Sequence, residues 1–155
     1  MKKQEFSKYM FYGAERADMK PVLNLYPGIN DPRDLYDRLM EIWCEYTCTP
    51  RLREGFSEDN KTLGQCSITA FLVQDIFGGE VRGIEREGGT FHCYNVVGGK
   101  CFDLTSEQFR DEELVYSDDD PIQSREVHFA KEEKKQRYEY LKEKLSQICR
   151  EEKKQ

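Results

Sequence analysis

Three side chains, Cys66, His92 and Asp103, stand in an order and a setting that suit nucleophilic chemistry. Cys66 ends the run TLGQC (62–66) and directly precedes SITAFLVQDIF (67–77). Ile68, Phe71, Leu72, Val73, Ile76 and Phe77 cover nearly every side of a helix over that stretch, and a helix apolar all round belongs in the middle of a domain. Gly78 and Gly79 can take the left-handed conformation that stops it. Gly64 is the expected cap, which puts Gln65 at the first helical position and Cys66 at the second. A thiol in the first turn feels the positive end of the helix dipole and unpaired N–H groups, and both favour thiolate.

The partners come from a predicted hairpin. With Gly98-Gly99 as a two-residue turn, Val97 faces Lys100, Tyr94 faces Asp103 and His92 faces Thr105. Side chains alternate along a strand, so His92, Tyr94, Val96, Cys101, Asp103 and Thr105 share one face. His92 and Asp103 are then diagonal neighbours, within reach of each other. The carboxylate would hold the ring by one nitrogen and leave the other free for the Cys66 thiol. The backbone N–H of Cys66, with a side-chain amide from Gln65 or Asn60, would stabilise an oxyanion. Tyr94 and Asn95, on the strand after His92, are expected on the substrate-binding side.

Blander readings stand beside this one. A cysteine in a buried helix is often a small hydrophobe, and a histidine beside a carboxylate is often only a satisfied polar pair. His128, the second of two histidines, has no partner in register and reads as structural or exposed. A metal is not expected. His92 and Cys93 point to opposite faces of a strand, and Cys44/Cys48 lacks a second matched pair at zinc spacing. No cofactor is implied. A redox pair at Cys44/Cys48 is a lesser alternative, as is redox sensing through the Cys66 thiolate.

The elements that must position these groups follow the same chain logic. Residues 1–30, with aromatics at Phe6, Tyr9, Phe11 and Tyr12, read as an N-terminal accessory segment ahead of a single domain over 31–155. Asp31 caps a helix with Pro32 at its first position and Leu35, Leu39, Ile42, Trp43 and Tyr46 on one face, running to about Thr47. Short strands are predicted over 80–86, 90–97 and 100–104, with a T-x-x-Q capping box at Thr105. From Ser124 the chain reads as one C-terminal helix, 124–155, whose stripe of Tyr138, Leu141, Leu145 and Ile148 packs on the domain.

Composition removes several function classes. The 155 residues carry a net charge of −6. Residues 131–155 hold nine basic and six acidic side chains, and the remainder fifteen basic and twenty-four acidic. An acidic body without a basic cluster argues against nucleic acid, and the mixed-sign tail reads as a solvated helix face. No apolar run is long enough to span a membrane, and the N-terminus lacks the apolar segment of a secretory signal. Six cysteines in such a chain are expected as reduced thiols, in the cytoplasm.

Several of these residues also carry a family resemblance. Trp43, Thr47, Thr62-Leu-Gly-Gln-Cys66, Thr69-Ala70, Val73-Gln-Asp75, Gly78-Gly79-Glu80, His92, Asn95, Asp103-Leu-Thr105, Gln108-Phe109, Ser124-Arg125 and Arg137-Tyr138 resemble the uncharacterised bacterial YunG-like family. The resemblance runs from about residue 33 onward. Cys93-Tyr94 departs from it, since the family tends to two aromatics after the histidine; this bears on the pocket wall. The Cys, His, Asp order is in turn similar to papain-like cysteine enzymes, with an NlpC/transglutaminase-like core. That likeness implies an α+β fold with a buried central helix on a small antiparallel sheet. It further implies a cysteine hydrolase or acyl transferase, with Cys66 as nucleophile, His92 as base and acid, and Asp103 as orienting group, acting on a peptide or small amide. The alternative is a non-catalytic binding or regulatory module on the same fold.

Overall fold

The structure is a computed structural model and describes residues 11–109 and 112–153. Its fold is α+β, built on the three-stranded antiparallel sheet β1 (Glu80–Glu85), β2 (Phe91–Val97) and β3 (Lys100–Phe102), in that spatial order. The Gly98-Gly99 turn sets the predicted register, with Val97 opposite Lys100, Val96 opposite Cys101 and Asn95 opposite Phe102. The ladder ends at Phe102, two residues short of the expected Leu104. There the N–H of Asp103 turns instead to the Tyr12 carbonyl, 2.9 Å away.

One face of the sheet is covered by α2 (Cys66–Phe77), whose Ile68, Phe71, Leu72, Val73, Ile76 and Phe77 are all buried. Gly78 caps its end with a φ of +79°, the conformation that costs glycine least. Against α2 packs the long α4 (Glu132–Lys153), and α1 (Pro32–Ile42) packs in turn against α4. Asp31 caps α1 as expected, its carboxylate accepting the Asp34 N–H at 3.0 Å.

That helix stops at Ile42 rather than Thr47. The Thr47 hydroxyl accepts the Cys44 N–H and donates to the Cys44 carbonyl, both at 2.9 Å, which closes a turn where the helix would have continued. Trp43 becomes the cap and sends its indole N–H to the Thr69 hydroxyl of α2, 3.1 Å away.

The C-terminal region is two helices, not one. After α3 (Arg125–Phe129), capped by Ser124, the chain turns at 130–131 and α4 begins. The turn lets Phe129 stack on Tyr138 at 4.5 Å between centroids while also touching Phe71. Along α4, Tyr138, Leu141 and Leu145 are buried with Cys149, and Ile148 is partly so; the predicted stripe packs on the domain. Arg137, almost fully buried, ties α4 to the Thr47 carbonyl at 2.9 Å and pairs with Glu133.

Residues 11–30 are less separate than an accessory segment. Phe11, Ala14, Ala17 and Ile29 lie in the common core, and the Val22 N–H reaches the Ile76 carbonyl. Phe6 and Tyr9 fall outside the described residues. Among the described residues no helix is long and apolar enough to cross a membrane.

Candidate active site

Cys66 is the first residue of α2, one position earlier than expected, because Gln65 and not Gly64 is the cap. Gly64 serves a different need. Its φ of +72° brings the chain so close to the 48–49 turn that a Cβ there would lie 2.5 Å from the Cys48 sulfur. In that position its carbonyl accepts the Thr49 N–H and its N–H donates to Gln108 Oε1. Gly64→Ala combines a left-handed non-glycine residue with overpacking, and should lower unfolding free energy by about 2–4 kcal/mol in urea titration.

The Cys66 sulfur sits 3.9 Å from the Phe91 carbonyl, at the start of β2. No side chain caps α2, so its first-turn N–H groups remain open beside the thiol. Cys66 as a residue is neither fully buried nor fully exposed. His92, one residue beyond Phe91, is buried, with Nε2 2.5 Å from Asp103 Oδ2. Its other nitrogen, Nδ1, is buried with no hydrogen-bond partner among the described residues. Cys66 is near enough for each group to shift the other's titration, so thiol and ring are poised without a formed hydrogen bond.

Asp103 is held from several sides. Its Oδ2 accepts the Tyr116 hydroxyl at 2.7 Å, and Oδ1 accepts the Thr105 N–H at 3.1 Å and the Thr105 hydroxyl at 3.3 Å. Phe109 sets its ring edge-on to His92 at 4.6 Å. Burial opposes charge on His92, but the Asp103 carboxylate beside it, and then Cys66, overcome this and push its pKa up to about 10. Cys66 moves the other way, well below an ordinary thiol. A hydrogen bond from Cys93 is the largest cause; burial works against it and the His92 cation adds to it. Both shifts run in the direction of a thiolate beside an imidazolium.

The remaining predicted residues are placed differently. Gln65 is buried at the helix cap, but its amide nitrogen donates to the Cys44 carbonyl at 3.3 Å. Asn60 closes a turn through its backbone onto Ser57, with no described bond to the three central groups. Asn95 is a fastener, its amide donating to the Ala70 carbonyl at 2.9 Å and pinning β2 to α2. Tyr94 supports the far side, where its hydroxyl donates to Asp120 at 2.7 Å and its ring meets Tyr116 edge-on.

Sequence reasoning missed Tyr116, since nothing in the 112–120 loop signals that it returns to Asp103. It also left His128 without a partner. The turn at 130–131 brings Lys134 Nζ within 2.8 Å of His128 Nδ1, and Gln123 Oε1 takes the other nitrogen at 2.9 Å. Burial, then Lys134, depress His128 to about 4, so it is neutral. Among the described residues, no group of three or more His, Cys, Asp or Glu side chains is arranged to hold a metal.

Residues 31–150 match the family model described as YunG protein. The chain belongs to the YunG family. It is 31% identical over 96 residues to the "Uncharacterized protein YunG" of Bacillus subtilis (strain 168), a stretch that covers 59% of this chain and 75% of that protein. No solved structure matches it. Many of the residues behind the YunG resemblance act as fasteners around α2. Trp43 bonds Thr69, Gln108 bonds Gly64, and Arg125 reaches Phe71, Gln74 and Asp75.

Proposed function

We propose that this YunG protein is a cysteine-dependent hydrolase or acyl transferase acting on an amide bond, with a papain-like arrangement of Cys66, His92 and Asp103. The observation that carries the reading is the imidazole fixed by Asp103 through Nε2 at 2.5 Å, with Nδ1 left over beside the thiol at the tip of α2. In this reaction the Cys66 thiolate attacks the amide carbon and the carbonyl oxygen becomes an oxyanion. The uncapped N–H groups of the first turn of α2 receive that oxyanion, since Gln65 is turned to Cys44. The Nδ1 proton goes to the leaving amine and a thioester remains. Water, or an acceptor amine, then attacks with His92 as base and frees Cys66. Asp103 keeps the ring aligned throughout.

The test is labelling with an acyl electrophile that mimics an amide carbonyl. One adduct on Cys66 is expected in the native chain, and none in Cys66→Ser, with the other thiols unmodified. No Cys66 adduct in folded protein refutes the reading.

A second reading, a binding or regulatory module, is favoured by a different surface. Val22, Leu23 and Leu25 are 65%, 56% and 49% exposed, and the two leucines line a surface cavity with Tyr26, Arg125 and Tyr138. An inert Cys66 would leave that surface as the functional one.

A further inference from the structure

Cys93 makes and breaks no bond in the acyl reaction, although it helps hold Cys66 as thiolate. α2 and β2 run side by side in the same sense. The Cys66 sulfur is by the Phe91 carbonyl, and Asn95 bonds the Ala70 carbonyl. From Ala70 back to Cys66 is four helical residues, about 6 Å. From Asn95 back to Cys93 is two strand residues on the same face, about 6.6 Å. The two steps match, so Cys93 falls opposite Cys66. Cys93 is 1% exposed and Cys66 is less buried, and the two are near enough for each to shift the other's titration.

A thiolate at a helix tip with a second, buried thiol beside it is the arrangement of a peroxide-reactive and a resolving cysteine. We propose that Cys66 and Cys93 form a reversible disulfide in response to a hydroperoxide, which switches the site off. The Cys66 thiolate attacks the outer peroxide oxygen and the O–O bond breaks. The departing alkoxide or hydroxide takes the His92 proton and leaves as alcohol or water. Cys66 is now a sulfenic acid, oxidised by two electrons at the expense of the peroxide. The Cys93 sulfur then attacks the Cys66 sulfur, the S–O bond breaks, and the hydroxyl leaves with the Cys93 proton as water. A dithiol restores both thiols. Without Cys93 the sulfenic acid is open to further peroxide and to irreversible sulfinic acid. The switch rests on the activated Cys66 of the proposed function and on none of its acyl chemistry.

The sequence makes the test clean. Trypsin places the two residues in separate peptides, 62–82 and 87–100, each with a single cysteine. Reduced full-length protein is treated with one equivalent of hydrogen peroxide, quenched with N-ethylmaleimide, and digested without reductant. The expected product is these two peptides joined with loss of two hydrogens. Iodoacetamide labelling of Cys66 should be lost in parallel, and dithiothreitol should reverse both changes. In Cys93→Ser, sulfinic acid on Cys66 becomes the main product.

Unlinked peptides with Cys66 trapped by dimedone or found as sulfinic acid would overturn the proposal. So would a link from Cys66 to another cysteine, or a Cys66 untouched by peroxide. The wild-type peptide map decides the matter even if the serine variant folds poorly. Failure of the acyl reading looks different: no acyl adduct on reduced Cys66, with the disulfide still forming, removes that reading and supports the switch.

Discussion

At pH 6, iodoacetamide should modify Cys66 about tenfold faster than an ordinary exposed thiol, and His92→Ala should remove that advantage. An ordinary thiol is thiolate in only about 0.3% of molecules at that pH, so complete ionisation alone offers a gain of roughly 300-fold. A stabilised thiolate is a weaker nucleophile, and this returns more than a decade of the gain. The net advantage is therefore set by how much of the ion pair His92 holds. Without the imidazole, Cys66 faces the Asp103 carboxylate with no cation between, and its reactivity should climb with pH like that of a free cysteine. Burial raises Cys48, and raises Cys101 to about 11, so neither competes at pH 6. The measurement is the rate of carboxamidomethylation at each cysteine, read by peptide mapping from pH 5 to 9. A pH-independent Cys66 rate in the wild type and a sigmoidal one in His92→Ala is the expected pair of curves. Overlapping curves would mean that the ring does not act on the sulfur.

What was legible in the sequence was whatever local chemistry decides. The apolar run 67–77 allowed only a buried helix, and Gly98-Gly99 allowed only one register, so the approach of His92 to Asp103 followed from counting residues. Tertiary override accounts for the differences. α1 had the periodicity to reach Thr47, but Thr47 found a better partner in the Cys44 backbone, and Arg137 from ninety residues away seals that turn. Helical pattern across 130–131 is continuous, yet the aromatic stack of Phe129 on Tyr138 needs the chain to bend. Tyr116, Lys134 and the pairing of Cys93 with Cys66 depend on long-range packing that no periodicity encodes. The alternation rule was sound for the strand: His92 and Cys93 do leave opposite faces. It was incomplete for the site, because a thiol at the helix tip can meet both.

Asp103→Asn should be the most damaging conservative change in the molecule, at about 3–5 kcal/mol of unfolding free energy near pH 7. The carboxylate is 1% exposed and accepts from His92, Tyr116 and twice from Thr105. An amide keeps the shape but removes the charge that supports a buried imidazolium, so the ring must lose its proton and the thiolate then loses its cation. The pH dependence separates this from a simple packing defect. His92 is raised to about 10, so its contribution is fully present below about 6.5 and is lost as pH rises through 10. Cys66 is lowered, so its contribution is present above the ordinary thiol value and is lost as pH falls through the folded one.

Between those windows the two slopes cancel. The folded thiolate–imidazolium pair binds as many protons as the unfolded thiol and neutral imidazole, and wild-type stability should be flat from about pH 6.5 to 8.5. Cys66→Ser removes one partner and leaves Asp103 to hold the cation. Its stability should fall over that interval, by up to about 1.4 kcal/mol per pH unit. Asp103→Asn removes the support for both charges, so it should be flat again but lower throughout. Urea titrations of the three proteins across pH 6 to 9 read all of this directly. A wild-type curve falling in parallel with Cys66→Ser would show that the folded state holds a neutral thiol, and the acyl chemistry would lose its ready-made nucleophile.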